Sequence, residues 1–174
     1  MYISEYYVPS HITGFFVPFF SDDYLKTGST GAGVSLSTGL RTAIKVTNGD
    51  GIDIFLNGKK TTKNKTSVST NCINILKDRF QEQFKNKRII INHISDVPIE
   101  AGFGASASAA LGICFSIKDF ASITNEQCIA IAHETEVKNL SGLGDVVAEV
   151  KGGVEIRKTP GVSGIIENIV PNKD

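Results

Sequence analysis

The chain has no tryptophan, a single methionine, five prolines and only three cysteines among its 174 residues. Cys72, Cys114 and Cys128 are odd in number and lack the paired spacing of a metal site, which speaks against a disulfide framework or a zinc ribbon. They read as small buried hydrophobes in a reducing compartment, so the cytoplasm is expected. An excess of one charge is missing too: 18 basic residues face 18 acidic ones, and the pI is near 6.8. Such a balance makes no broad electrostatic case for nucleic acid or an anionic membrane. No apolar run is long enough to cross a bilayer, and the opening Met1-Tyr2-Ile3-Ser4-Glu5 lacks the basic stretch that begins a signal peptide. Internal repeats and low-complexity tracts are absent. What is there is a 41% hydrophobic fraction in a length suited to one domain with a substantial core.

The pattern along the chain is β first and helical later. Residues 12–20 read as a strand interrupted at Gly14, followed by the acidic turn Ser21-Asp22-Asp23. A glycine-rich loop over 27–33 precedes a short strand at 34–36, and further strands are predicted at 42–47 and 52–56. The last of these meets the hairpin signal Asn57-Gly58 and a basic segment, Lys59, Lys60, Lys63 and Lys65, expected as a solvated hairpin tip or loop. Cys72, Ile73, Leu76, Phe80 and Phe84 recur at helical spacing, with Thr70 or Asn71 as the predicted cap. Residues 88–94 form a β-type run. Thr124 and Gln127 make a capping-box signature for a later helix, and Gly152-Gly153 ends a short helix before a strand at 154–157. This mixed order predicts an α+β fold rather than a doubly wound parallel sheet.

Between the strand at 88–94 and the next helix lies Pro98-Ile99-Glu100-Ala101-Gly102-Phe103-Gly104-Ala105-Ser106-Ala107. Gly102 and Gly104 allow backbone conformations closed to other residues, and the alanines and serines that follow favour helix. The loop therefore delivers a ligand to a helix N-terminus, where unpaired N–H groups and the helix dipole suit an anion. A Walker A loop is excluded, because no lysine occurs between Pro98 and Ile117. The dinucleotide fingerprint fails for want of a well-placed acidic residue about 20 positions on. The bland alternative is a glycine turn into a helix that packs closely.

The segment resembles the second motif of the GHMP kinases, Pro-x-x-x-Gly-Leu-Gly-Ser-Ser-Ala, with Ala105 in place of the first serine and Ser106 as the second. That resemblance implies the N-terminal domain of a GHMP kinase, of the ribosomal protein S5 domain 2-like kind, with a mixed sheet and helices packed on one face. It implies ATP and Mg2+ as cofactors. Gly102, Phe103, Gly104, Ala105, Ser106 and Ala107 would hold the phosphates, and Ser106 would ligate the metal. A glutamate on the following helix would complete the metal site: family spacing favours Glu134, and helix phase, three residues past His133, favours Glu136. Asp145, in Ser141-Gly142-Leu143-Gly144-Asp145, matches the catalytic aspartate of the family.

Val8-Pro9-Ser10-His11-Ile12-Thr13-Gly14 resembles the first GHMP motif, with His11 where many members carry lysine. Together with the 27–33 loop and the Gly144-Asp145 turn, it makes the chain similar to the archaeal pantoate kinases. Pantoate, or a similar small molecule, is then the implied substrate, with His11, Ser29, His133 and Arg157 as its contacts; arginine's bidentate fit to a carboxylate argues for Arg157. The GHMP kinases add a C-terminal domain with a third glycine-rich motif, and nothing here matches it, so residues 1–174 are expected to be the ATP-binding and catalytic domain without that partner domain. Nucleic-acid and membrane partners are not expected. Oligomeric state is left open, a homodimer being one option.

Overall fold

The computed structural model describes residues 1–61 and 67–170. A long hairpin opens it: β1 (Tyr2–Phe19) pairs antiparallel with β2 (Gly28–Asn48) along its length, with register irregularities between Pro9 and His11 and between Thr13 and Phe15. The predicted loop at 27–33 and the separate strands at 34–36 and 42–47 are thus one strand from Gly28 onward. Glycines make that continuity possible, since a Cβ on Gly31 or Gly39 would collide with the β1 backbone.

The far edge of β2 is shared. Leu40 to Asn48 pair with β5 (Lys87–Ser95), and Gly31 to Val34 pair with β6 (Val154–Arg157), which carries β7 (Ile166–Ile169) on its outer side. Beyond β5 lies β3 (Ile52–Leu56), parallel to it, and the turn at Asn57-Gly58 returns as β4 (Lys59–Lys60). Lys59 and Lys60 are exposed, as expected of a hairpin tip, while Lys63 and Lys65 lie outside the described residues.

Helices cover one face of this seven-stranded sheet. The first, α1 (Ser67–Arg79), starts before the predicted Thr70 or Asn71 cap, and the short α2 (Gln81–Phe84) follows. α3 (Ala105–Ala121) runs through the centre, burying Ala107, Ala110, Leu111, Ile113, Cys114 and Ile117. Its small residues bring it close to β2, for a Cβ on Gly112 would overlap the Thr42 hydroxyl. The capping box holds: Thr124 Oγ1 accepts from the Gln127 amide and the Gln127 side chain accepts from the Thr124 amide, starting α4 (Asn125–Asn139). The seven-residue α5 (Asp145–Lys151) ends at Gly152, and β6 follows directly. Cys72, Cys114 and Cys128 are fully buried free thiols between α1, α3 and α4. The fold is α+β, with a mostly antiparallel sheet and helices on one side, as the sequence predicts.

Candidate functional site

The loop before α3 turns on two left-handed glycines, Gly102 at φ 80° and Gly104 at φ 67°. Nothing lies within 4 Å of the direction a Gly102 side chain would take. Gly104 is the N-cap of α3 and gives no side-chain cap, so the first-turn N–H groups keep their affinity for an outside anion. The His11 amide donates to the Phe103 carbonyl at 3.2 Å, fastening the loop to β1.

Ser106, one residue into α3, donates from Oγ to Glu136 Oε2 at 2.9 Å, and Ser141 donates to Glu136 Oε1 at 2.8 Å. Glu136 is 1% exposed, and burial pushes its carboxyl up to about 7 despite those two hydroxyls. The turn at 140–144 wraps it closely: a Cβ on Gly142 would strike Glu136 and come within 3.4 Å of Asp145 Oδ2. Glu134 faces elsewhere, bridging Arg79 on α1 and Lys138 one turn on. Of the two candidate glutamates, only Glu136 meets Ser106.

Asp145 opens α5, where a carboxylate suits the helix dipole. Its Oδ1 accepts from Thr13 Oγ1 at 3.1 Å and contacts His11 Nδ1 at 3.3 Å. Burial works to raise its pKa, but the hydrogen bond and charge of His11, the Thr13 hydroxyl and the charge of Arg157 outweigh it and hold the group below the ordinary aspartate range. The opposite nitrogen of His11 lies 3.1 Å from Glu155 Oε1, which also pairs with Arg157. Both ring nitrogens therefore face carboxylates, which calls for imidazolium. Burial alone would lower the His11 pKa; the bonds and charges of Asp145 and Glu155 leave it raised.

A row of alternating charge results: Arg157, Glu155, His11, Asp145. His11, expected as a substrate contact, is fully buried behind Asp145 and does not border the cavity. His133, also expected as a substrate contact, does not border the cavity either. It is 1% exposed, its Nε2 donates to the Thr27 carbonyl at 2.8 Å, and burial keeps it neutral by lowering its pKa. Ser29 and Arg157 do border the cavity, and both press on Gly144, whose imagined Cβ would lie 2.5 Å from Ser29 Oγ and 2.8 Å from Arg157 Nε. Ala107 turns its side chain into the core, leaving only its backbone near the loop.

These groups converge on a cavity of about 780 Å³, bordered by Gly102, Gly104, Ser106, Asp145, Ser29 and Arg157. Its volume falls in the range of small-molecule sites. Among the described residues no three His, Cys, Asp or Glu side chains gather as a self-contained metal centre. A serine hydroxyl and a carboxylate do suit magnesium, which commonly takes one or two protein oxygens and completes its shell with phosphate and water. Sequence reasoning missed Thr13, Ser141 and Glu155. For Glu155 a signal existed: Glu155 and Arg157 alternate in a short strand, on the side that a buried strand gives to apolar residues.

The fold and the loop-to-helix site define the N-terminal domain of the GHMP kinases, and the chain carries it: residues 68–153 match the family described as GHMP kinases N terminal domain. The chain is similar to the pantoate kinase of Methanocaldococcus jannaschii, 36% identical over 168 residues that cover 97% of this chain and 58% of the relative. The pantoate kinase of Thermococcus kodakarensis is 35% identical over 162 residues, 91% of this chain and 53% of that one. A solved phosphotransferase related to the CoA biosynthesis pathway superposes with a TM-score of 0.87 at 32% identity, covering 97% of this chain and 57% of its own. Mevalonate-3-kinase from Thermoplasma acidophilum shares the fold at a TM-score of 0.61 and 15% identity, over 97% of this chain and 51% of that one. The chain thus spans little more than half the length of the curated relatives it matches. Among the described residues no helix is long and apolar enough to cross a membrane.

Proposed function

We propose that residues 1–174 are the ATP-binding and catalytic domain of a two-domain, cytoplasmic GHMP kinase that phosphorylates a small-molecule hydroxyl, with pantoate as acceptor and 4-phosphopantoate as product on the route to coenzyme A. The observation that carries this reading is the convergence of Ser106, Glu136 and Asp145 at the mouth of an uncapped helix N-terminus. The backbone of Gly102 to Ala107 would take the phosphates, and Ser106 with Glu136 would hold magnesium. When bound, the metal and the helix terminus neutralise charge that develops on the transferred phosphoryl group.

Asp145 orients the acceptor hydroxyl and takes its proton. Its Oδ1 is committed to Thr13 and His11, so Oδ2, on the Glu136 side, is the oxygen for that task. Arg157 and Ser29 suit a carboxylate on the acceptor, and the Arg157 Nε has no hydrogen-bond partner among the described residues. Pantoate is preferred over mevalonate because the 32–36% identical curated relatives are pantoate kinases. A second reading, a half-domain that binds nucleotide without turnover, draws on the chain's share of its relatives' length. ADP release from ATP and magnesium, with pantoate, mevalonate or a sugar as acceptor, separates the two. Asp145→Asn should abolish transfer and spare ATP binding; unchanged turnover in that variant would sink the mechanism.

A further inference from the structure

Glu149 plays no part in the mechanism above, yet it is a buried carboxyl without a partner among the described residues. It lies on α5 one turn beyond Asp145, is 4% exposed, and neither of its oxygens has a hydrogen-bond partner among the described residues. It sits directly beneath the glycine turn, for a Cβ placed on Gly104 would collide with Glu149 Oε1, while the His11 Cβ closes the other side at 3.6 Å. From α3 the Ser108 hydroxyl faces the carboxyl without reaching hydrogen-bond geometry. The charges nearby have the wrong sign for a carboxylate. Asp145 from its own helix and Glu136 from α4 both repel it. The cations on β1 and β6, His11 and Arg157, are held by Glu155 and Asp145.

We propose that Glu149 is a positioning residue for the 102–106 turn: its carboxyl, wedged beneath Gly104, is the floor that keeps the turn's backbone N–H groups aimed at the anion. The glycine at 104 is then required twice, once by its left-handed φ and once by the carboxyl that fills the space of a side chain. Burial first, then the neighbouring carboxylates, raise its pKa well above the ordinary value and favour the neutral form. In acid both folded and unfolded chains are protonated and folding carries no ionisation cost. That cost grows as pH climbs past the ordinary glutamate value toward the raised one. A charged Glu149 must reach water, and the part of its cage that can yield is the turn above it.

The inference rests on the 102–106 turn being the nucleotide loop, but its test does not. Amide hydrogen exchange of the segment 99–110, corrected for intrinsic rate, is followed from mild acid into the alkaline range in the wild type, Glu149→Gln and Glu149→Ala, without nucleotide. In the wild type, loop protection should fall by up to about tenfold per pH unit between the ordinary glutamate value and the raised one, the limit for one linked proton, and level off above it. Glu149→Gln, uncharged at every pH, should hold protection flat, and Glu149→Ala should lose it throughout. An equal pH slope in wild type and Glu149→Gln overturns the proposal, as does wild-type protection in Glu149→Ala. Amides of β5 serve as an internal reference, and their loss in parallel with the loop would mean global destabilisation and would overturn it too. ATP affinity, measured alongside, reports separately on the nucleotide reading.

Discussion

Replacing Glu155 with glutamine keeps the volume of the side chain and removes only its charge, so the consequence can be worked from the row it belongs to. Glu155 is 0% exposed and stands between two cationic groups, the His11 ring at 3.1 Å and the Arg157 guanidinium. With an effective dielectric of about 20, one such contact is worth about 5 kcal/mol in gross Coulomb terms. The desolvation cost of Glu155 itself offsets part of this. What remains is a buried guanidinium 2% exposed and a fully buried imidazolium, both without the anion between them. Removing one partner of a buried pair costs about 3–5 kcal/mol. For a chain of this length that becomes a fall in Tm of about 6–20 °C. Because Glu155 helps to hold His11 protonated, the His11 pKa should drop as well, and Asp145 should lose some of the support that keeps it ionised. Thermal denaturation reads the first effect, and NMR titration of the histidine ring reads the second. A Tm change under about 2 °C together with an unmoved His11 titration would refute the charge-row argument.

Stability should be greatest in mild acid. Asp145 is held below its ordinary value, so its contribution is present above about pH 3.9 and lost as pH falls through the lowered one; His11 is raised, so its contribution is full below about pH 6.5 and lost as pH rises through the raised one. Tm measured across pH checks both limbs, and His11→Gln should shrink the alkaline limb. Gly104→Ala must strain a φ of 67° and displace Glu149, whereas Gly102→Ala meets open space at φ 80°. Denaturant titration should give about 3 kcal/mol or more for the first and about 1–2 kcal/mol for the second. Glu134→Gln severs ion pairs to the half-exposed Arg79 and Lys138, so it should cost about 1 kcal/mol and leave magnesium-dependent nucleotide binding intact. Glu136→Gln should weaken that binding at least tenfold, and calorimetry with and without magnesium distinguishes the two glutamates.

Local chemistry was legible in the chain itself. Gly102 and Gly104 before a run of small helix formers specify a kinked loop into a helix N-terminus, because only the backbone and nearest neighbours decide that outcome. The Thr124 capping box, the Asn57-Gly58 hairpin and the small-residue face of α3 belong to the same class. Spacing along the sequence left Glu134 and Glu136 as rivals, because both lie on one short stretch of helix and the choice depends on which side α3 approaches. Tertiary packing sets Ser106 against Glu136 and Arg79 against Glu134, which is the ground for proposing Glu136. His11 changed most. In the sequence it is a weak cation in place of a lysine, and only the meeting of β1, β6 and α5 makes it the bridge between Asp145 and Glu155. Contacts across 134 and 144 residues of chain leave no periodic trace, since charge pairing depends on distance in space and not on position along the backbone.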